Sequence, residues 1–103
     1  MGTSTDILPS LAEQIAARRP AFLANRRLDV EKLQNALAVK DFALIQHIGH
    51  NAKGIGTGYG FPEISRAGST IEIAARALNG NEVEKAIHQF VICIQAACSD
   101  PTG

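Results

Sequence analysis

The chain has 103 residues, enough for one domain and one hydrophobic core. It is 46% hydrophobic with no tryptophan, and its ten basic and ten acidic residues leave a formal net charge of zero. That balance argues against a nucleic-acid binder, which normally carries a basic excess. Two cysteines, Cys93 and Cys98, are too few for a secreted disulfide scaffold and are expected to be buried or half-buried thiols in a reducing compartment. Residues 1–6 show neither a signal peptide nor a myristoylation pattern, and no apolar run is long enough to span a bilayer. A cytoplasmic protein with no membrane contact is the expectation.

Taken in chain order, residues 1–8 read as a flexible tail. A short first helix is expected from Ser10 to Arg18, with Ser10 and Glu13 at capping-box spacing and Leu8, Leu11 and Ile15 as its apolar stripe. Pro20 is expected to break it, because the residue before proline avoids the helical region. A second helix then runs from Pro20 to Val39 on the stripe Leu23, Val30, Leu33 and Leu37. The basic cluster of Arg18, Arg19, Arg26 and Arg27 reads as a solvated helix face.

Asp41 suits the cap of a third helix starting at Phe42. Pro62 opens a fourth, with Ile64, Ala67, Ile71, Ala74, Ala75 and Leu78 on one face, and Asn79-Gly80 is expected to end it. Asn81, with Glu84 three residues on, is the expected cap of a fifth, whose buried face is Val83, Ile87, Phe90, Val91 and Ile94. Nothing carries the alternation of a strand. The predicted fold is therefore all-α: an antiparallel four-helix bundle over residues 9–98 with a short extra N-terminal helix, and a flexible tail over 99–103.

The third segment, Asp41 to Gly60, holds the chemistry, with Gly56, Gly58 and Gly60 read either as permitting close helix packing or as ending the helix early. With Ile48 at the centre of its buried face and about 100° per residue, Leu44, Ala52, Ile55 and Tyr59 fall within roughly 40° of that centre. Ile45 lies at the edge, and His47 lies about 100° away on the boundary. His50 lands about 200° from the centre and points to water, sharing the outer face with Gln46, Lys53 and Thr57. Gly49, Gly54, Gly56, Gly58 and Gly60 crowd this one segment although each glycine inside a helix costs roughly 0.5–1 kcal/mol relative to alanine. Gly54, about 40° around from His50 and one turn on, clears a side chain from one edge of the imidazole. The dinucleotide pattern G-x-G-x-x-G fails at Tyr59 and at Phe61, and a P-loop would need its lysine after the glycines, whereas Lys53 precedes them.

Neutral imidazole is a competent nucleophile near neutral pH. Phosphoryl transfer asks mainly for in-line positioning and for positive charge near the moving oxygens, which Lys53 supplies. There is no acidic pair for Mg²⁺ and no nucleotide pocket, so the constellation reads as half an active site that a partner completes. His88, and largely His47, read as ordinary surface histidines.

The run His50-Asn-Ala-Lys53-Gly54, followed by Gly60, resembles the H-x-x-K-G-x-x-x-x-x-G signature of histidine-phosphotransfer domains. Phe22-Leu-Ala-Asn-Arg-Arg-Leu-Asp-Val, Gly58-Tyr-Gly-Phe-Pro-Glu-Ile and Ile71-Glu-Ile-Ala-Ala-Arg76 are also similar to bacterial members, over roughly residues 20–95. Ile55, where members often carry a small polar residue, and Ala52, where Leu or Met is common, depart from the pattern away from the outer face. The resemblance implies a bundle whose third and fourth helices carry the site. His50 is then phosphorylated at its far nitrogen by the aspartate of one response-regulator receiver domain and passes the group to another. A hybrid sensor histidine kinase is a further expected partner. Lys53 is implied as the electrostatic partner and Gly54 as the small residue beside the histidine, with Gly60 completing the signature; Gln46 and Thr57 are supporting candidates from their place on the outer face.

No cofactor of its own is expected, Mg²⁺ belonging to the receiver, and monomer is the expected state. An ATP-dependent kinase does not fit, because nucleotide motifs are missing. A module that docks receivers without transfer is the principal alternative. A metal site from His47 and His50, joined by His88 or a cysteine, is a weaker one.

Overall fold

In the computed structural model, which describes residues 10–99, the fold is all-helical: α1 Leu11–Ala38, α2 Phe42–Gly56, a 3-10 turn Thr57–Tyr59, α3 Pro62–Arg76 and α4 Gly80–Ser99. The described residues contain no strand and no helix long and apolar enough to cross a membrane. Each helix packs on its neighbours in the chain, and α4 returns to α1, so the four close around one core. Phe90, Leu33, Ile45, Ile64, Ile71 and Val83 are its largest fully buried side chains. The expected tail 1–8, and with it Leu8 of the first stripe, lies outside the described residues, as do 100–103 of the C-terminal tail. α4 runs one residue into that second expected tail.

The break at Pro20 does not occur. The expected short first helix and the second are one helix of 28 residues, about 42 Å long. Proline removes the hydrogen bond to the carbonyl four residues back. Here that residue is Ala16, which is exposed, so water can take the place of the missing N–H. The Ser10–Glu13 capping box forms as expected, with Glu13 N–H on Ser10 Oγ at 3.1 Å and Ser10 N–H on Glu13 Oε1 at 2.9 Å. The Ser10 hydrogen bonds hold the Glu13 carboxyl below its ordinary value. No residue between Leu11 and Ala21 is buried; the core begins at Phe22.

The basic cluster is not simply a solvated face. Phe22 stacks on Tyr59 at 4.6 Å and on Phe61 at 5.5 Å between centroids. Arg26 lies over the Phe22 ring at 4.9 Å and Arg19 over Phe61 at 5.4 Å. Arg19 Nε also donates to the Tyr59 carbonyl at 3.1 Å. Cation–π contacts of this kind are worth about 0.5–2 kcal/mol each. They clamp the α2–α3 connection onto α1. Gly60 makes the turn there: its φ of +83° suits glycine, and a Cβ would meet the Arg19 guanidinium at 2.8 Å.

The third connection differs from expectation in its detail. α3 ends at Arg76, and Leu78, not a glycine, takes the left-handed conformation with φ 57°. Leu78 is therefore 70% exposed rather than on the buried face. Asn79 replaces Asn81 as the cap of α4, its Oδ1 accepting from Glu82 N–H at 3.1 Å. Starting the helix two residues early gives the first-turn N–H groups a partner without altering which residues face the core. Val83, Ile87, Phe90 and Ile94 are buried as expected, whereas Val91 is half-buried.

Cys98 is exposed, contrary to expectation, and accepts from Arg27 Nη2 at 2.8 Å; Cys93 is half-buried. Burial, aided by the Glu63 charge and opposed by Arg66, pushes the Cys93 thiol above its ordinary value. Because the thiolate is the reactive species, iodoacetamide at neutral pH is expected to alkylate Cys98 at least about tenfold faster than Cys93. Peptide mass spectrometry over a time course checks this, and equal rates would contradict the burial of Cys93.

Candidate functional site around His50

α2 begins where its cap predicts, with Asp41 Oδ1 accepting from Leu44 N–H at 3.1 Å. Its buried face is turned from the expected one. Ile45, Ile48, Gly49, Ala52 and Gly56 are buried, while Leu44 is 41% and Ile55 40% exposed. The centre of that face lies about 55° around from Ile48, towards α3. The cause is the pair of glycines. A Cβ on Gly49 would sit 2.8 Å from the Glu72 nitrogen and the Gly68 oxygen, and one on Gly56 would sit 2.8 Å from the Ser65 nitrogen. From the other side, a Cβ on Gly68 would lie 2.7 Å from the Lys53 nitrogen. Bare backbone at three positions lets α2 and α3 touch main chain to main chain. Ser65 Oγ fastens the contact by donating to the Lys53 carbonyl at 2.6 Å.

That close approach brings Glu72, one of the buried residues of α3, against His50. Glu72 is absent from the residues singled out in the sequence, which showed no acidic group near the imidazole. Its signal was present: a carboxylate inside the apolar stripe of α3, one turn before Arg76. The carboxylate is 8% exposed and has three partners. His50 Nδ1 lies 3.0 Å from Oε2, Arg76 Nη2 donates to Oε2 at 3.0 Å, and Lys53 Nζ donates to Oε1 at 3.3 Å. Burial acts to raise the Glu72 pKa, but hydrogen bonds from His50 and Lys53 and their nearby charges outweigh it and hold the carboxyl below its ordinary value.

An ionised carboxylate only accepts hydrogen bonds. Nδ1 of His50 must therefore carry the proton, and the lone pair is left on Nε2. The imidazole is 63% exposed, and no described residue hydrogen-bonds Nε2. The result is a nitrogen nucleophile of defined tautomer on the surface, held by a buried carboxylate and flanked by an ammonium and a guanidinium.

The structure places the other candidates as follows. Lys53 is half in solvent, on the same carboxylate as His50. Gly54 is exposed, and a Cβ there would meet nothing within 4 Å, so nothing in the fold requires a glycine. Gln46 is half-buried and Thr57 exposed; neither joins the Glu72 network. Gly60 belongs to the aromatic clamp rather than to the imidazole. His47 is exposed, not on the boundary, because of the same rotation of the face; its Nε2 lies 3.2 Å from Asn51 Nδ2. His88 lines a groove between α1 and α4 that does not include His50. Among the described residues no three His, Cys, Asp or Glu side chains are grouped to hold a metal ion.

Comparisons of the chain with protein-family models, curated proteins and solved structures find no match.

Proposed function

We propose that the chain is a phosphoryl carrier of the histidine-phosphotransfer kind, accepting a phosphoryl group on His50 Nε2 from a receiver-domain aspartate and passing it to another receiver. The observation that carries this reading is the exposed imidazole whose Nδ1 is bound by Glu72, so that Nε2 faces a partner with its lone pair free. The reading takes the fold as an antiparallel four-helix bundle. The short connections and the return of α4 to α1 favour that arrangement.

His50 supplies the nucleophile, while the receiver supplies the aspartyl phosphate and its Mg²⁺. Lys53 neutralises charge on the transferring oxygens. Gly54 leaves room for the receiver's loops. The carrier works without nucleotide, so ATP alone does not label it.

The test is incubation with receiver domains phosphorylated on aspartate. Label is expected to move to the chain as acid-labile, alkali-stable phosphate. Lys53→Ala is expected to slow transfer about tenfold, equivalent to roughly 1.4 kcal/mol in the barrier, with the melting curve little changed. An unchanged rate would remove Lys53 from the mechanism. Stable binding to several receivers without any transfer would favour a docking module instead.

A further inference from the structure

Glu72 does more than orient the ring. We infer that it keeps the proton on Nδ1 through the whole transfer cycle, so that phosphorylated His50 is held as the protonated, transfer-ready donor. The inference rests on the carrier reading above and extends it to the phosphorylated state.

In the forward step, the Nε2 lone pair attacks phosphorus and the P–O bond to the donor aspartate breaks. Its electron pair stays on the carboxylate. The ring now bears a phosphoryl group on Nε2 and the original proton on Nδ1, and so carries a positive charge. If that proton escapes to water, the ring becomes a neutral phosphoimidazole. Such a ring is a poor donor, because breaking its P–N bond would have to release imidazolate. If the proton stays, the acceptor aspartate attacks phosphorus, the P–N electron pair returns to Nε2, and the leaving group is neutral imidazole. The proton on Nδ1 therefore decides whether the group can leave.

The geometry provides for its retention. The Nδ1···Oε2 separation is 3.0 Å, and the carboxylate is buried in the α2–α3 contact while the ring is not. The glycine contact supports this pair through main chain, so Glu72 stands beside the ring wherever α2 and α3 touch. The other charged groups facing the pair are Lys53 from α2 and Arg76 from α3, both on the same carboxylate. Among the described residues no ion pair from α1 or α4 reaches it. Lys53 and Arg76 oppose proton retention: Lys53 donates to the other carboxylate oxygen, Oε1, and Arg76 shares Oε2 with the ring, but Nδ1 is itself in direct contact with the carboxylate. Glu72 is thus a positioning residue that acts through the ring.

The experiment measures loss of phosphate from purified phosphorylated protein as a function of pH, for wild type, Glu72→Gln and Lys53→Met. Glutamine keeps the shape of the side chain and removes its charge. An opposite charge at hydrogen-bond range shifts a titration by about 1–3 pH units. Wild type is accordingly expected to lose phosphate about tenfold faster than Glu72→Gln near pH 8, with the two converging near pH 5. Removing the Lys53 charge is expected to move the profile the other way, towards higher pH. A role confined to structure would change labelling yield or melting temperature without moving the pH profile. Coincident profiles for wild type and Glu72→Gln would overturn the inference, as would a shift of Lys53→Met to lower pH, and in either case the carrier reading stands. Failure of wild type to accept phosphate from any phosphorylated receiver would overturn that reading itself.

Discussion

Replacing His50 with glutamine is expected to abolish phosphoryl acceptance, a loss of at least about a thousandfold, since among the described residues no other imidazole stands on the Glu72 carboxylate and the Lys53 amine beside it is paired with that charge as an ammonium. Glutamine offers an amide in place of the ring and has no nucleophilic nitrogen. The fold is expected to hold: the His50 side chain is 63% exposed, and Lys53 and Arg76 still donate to the buried Glu72 carboxylate when the imidazole is gone. His47 is the control. It is exposed on the same helix, three residues earlier, and it contacts Asn51 instead of a carboxylate. His47→Gln is expected to accept label as wild type does. Transfer of radiolabel from a phosphorylated receiver, with circular dichroism to verify helicity, reads both variants. Undiminished labelling of the His50 variant would end the carrier reading.

The second large effect comes from the glycines, and its sign depends on position. Gly68→Ala is expected to destabilise the fold by about 2 kcal/mol. Overpacking usually costs about 1–3 kcal/mol. Here the atoms met by the new Cβ, Lys53 N at 2.7 Å and Gly49 O at 2.8 Å, are backbone and cannot rotate away. The gain in helix propensity, about 1 kcal/mol at most, offsets only part of this. Gly54→Ala meets nothing within 4 Å and is expected to stabilise the isolated protein by about 0.5 kcal/mol. The two variants should also separate in transfer assays. Gly68→Ala drives α2 and α3 apart and loosens Glu72 from His50. Gly54→Ala leaves that pair intact and puts a methyl group where the proposed receiver would approach. Urea denaturation curves of both proteins measure the stabilities. A Gly68→Ala variant as stable as wild type would show that the two backbones are not in contact.

Much of the local structure was legible without coordinates. The Ser10 and Asp41 caps, the start of α3 at Pro62 and the buried stripes of α3 and α4 follow from side-chain chemistry within a few residues of each site. The apparent stop at Pro20 misled because the cost of a proline depends on its surroundings. An exposed Ala16 carbonyl can turn to water, and Arg19 is anchored on Tyr59 and Phe61 from across the fold. The face of α2 was misjudged by about 55° because its most deeply packed positions are glycines, which carry no hydrophobic signal. Leu44 and Ile55 carry the hydrophobic signal on a flank that stays partly exposed.

The sequence by itself determined that the chain is helical, which residues begin most of the helices, and that His50 and Lys53 lie one turn apart on the outward part of α2. Those properties arise from hydrogen bonds and periodicity within a single helix. Only the tertiary structure decided that Gly49, Gly56 and Gly68 let two backbones meet, and that Glu72 thereby takes hold of the imidazole from 22 residues away. Contact across helices depends on how closely their axes approach, and a residue whose contribution is the side chain it lacks does not say which neighbour it admits until that neighbour is in place.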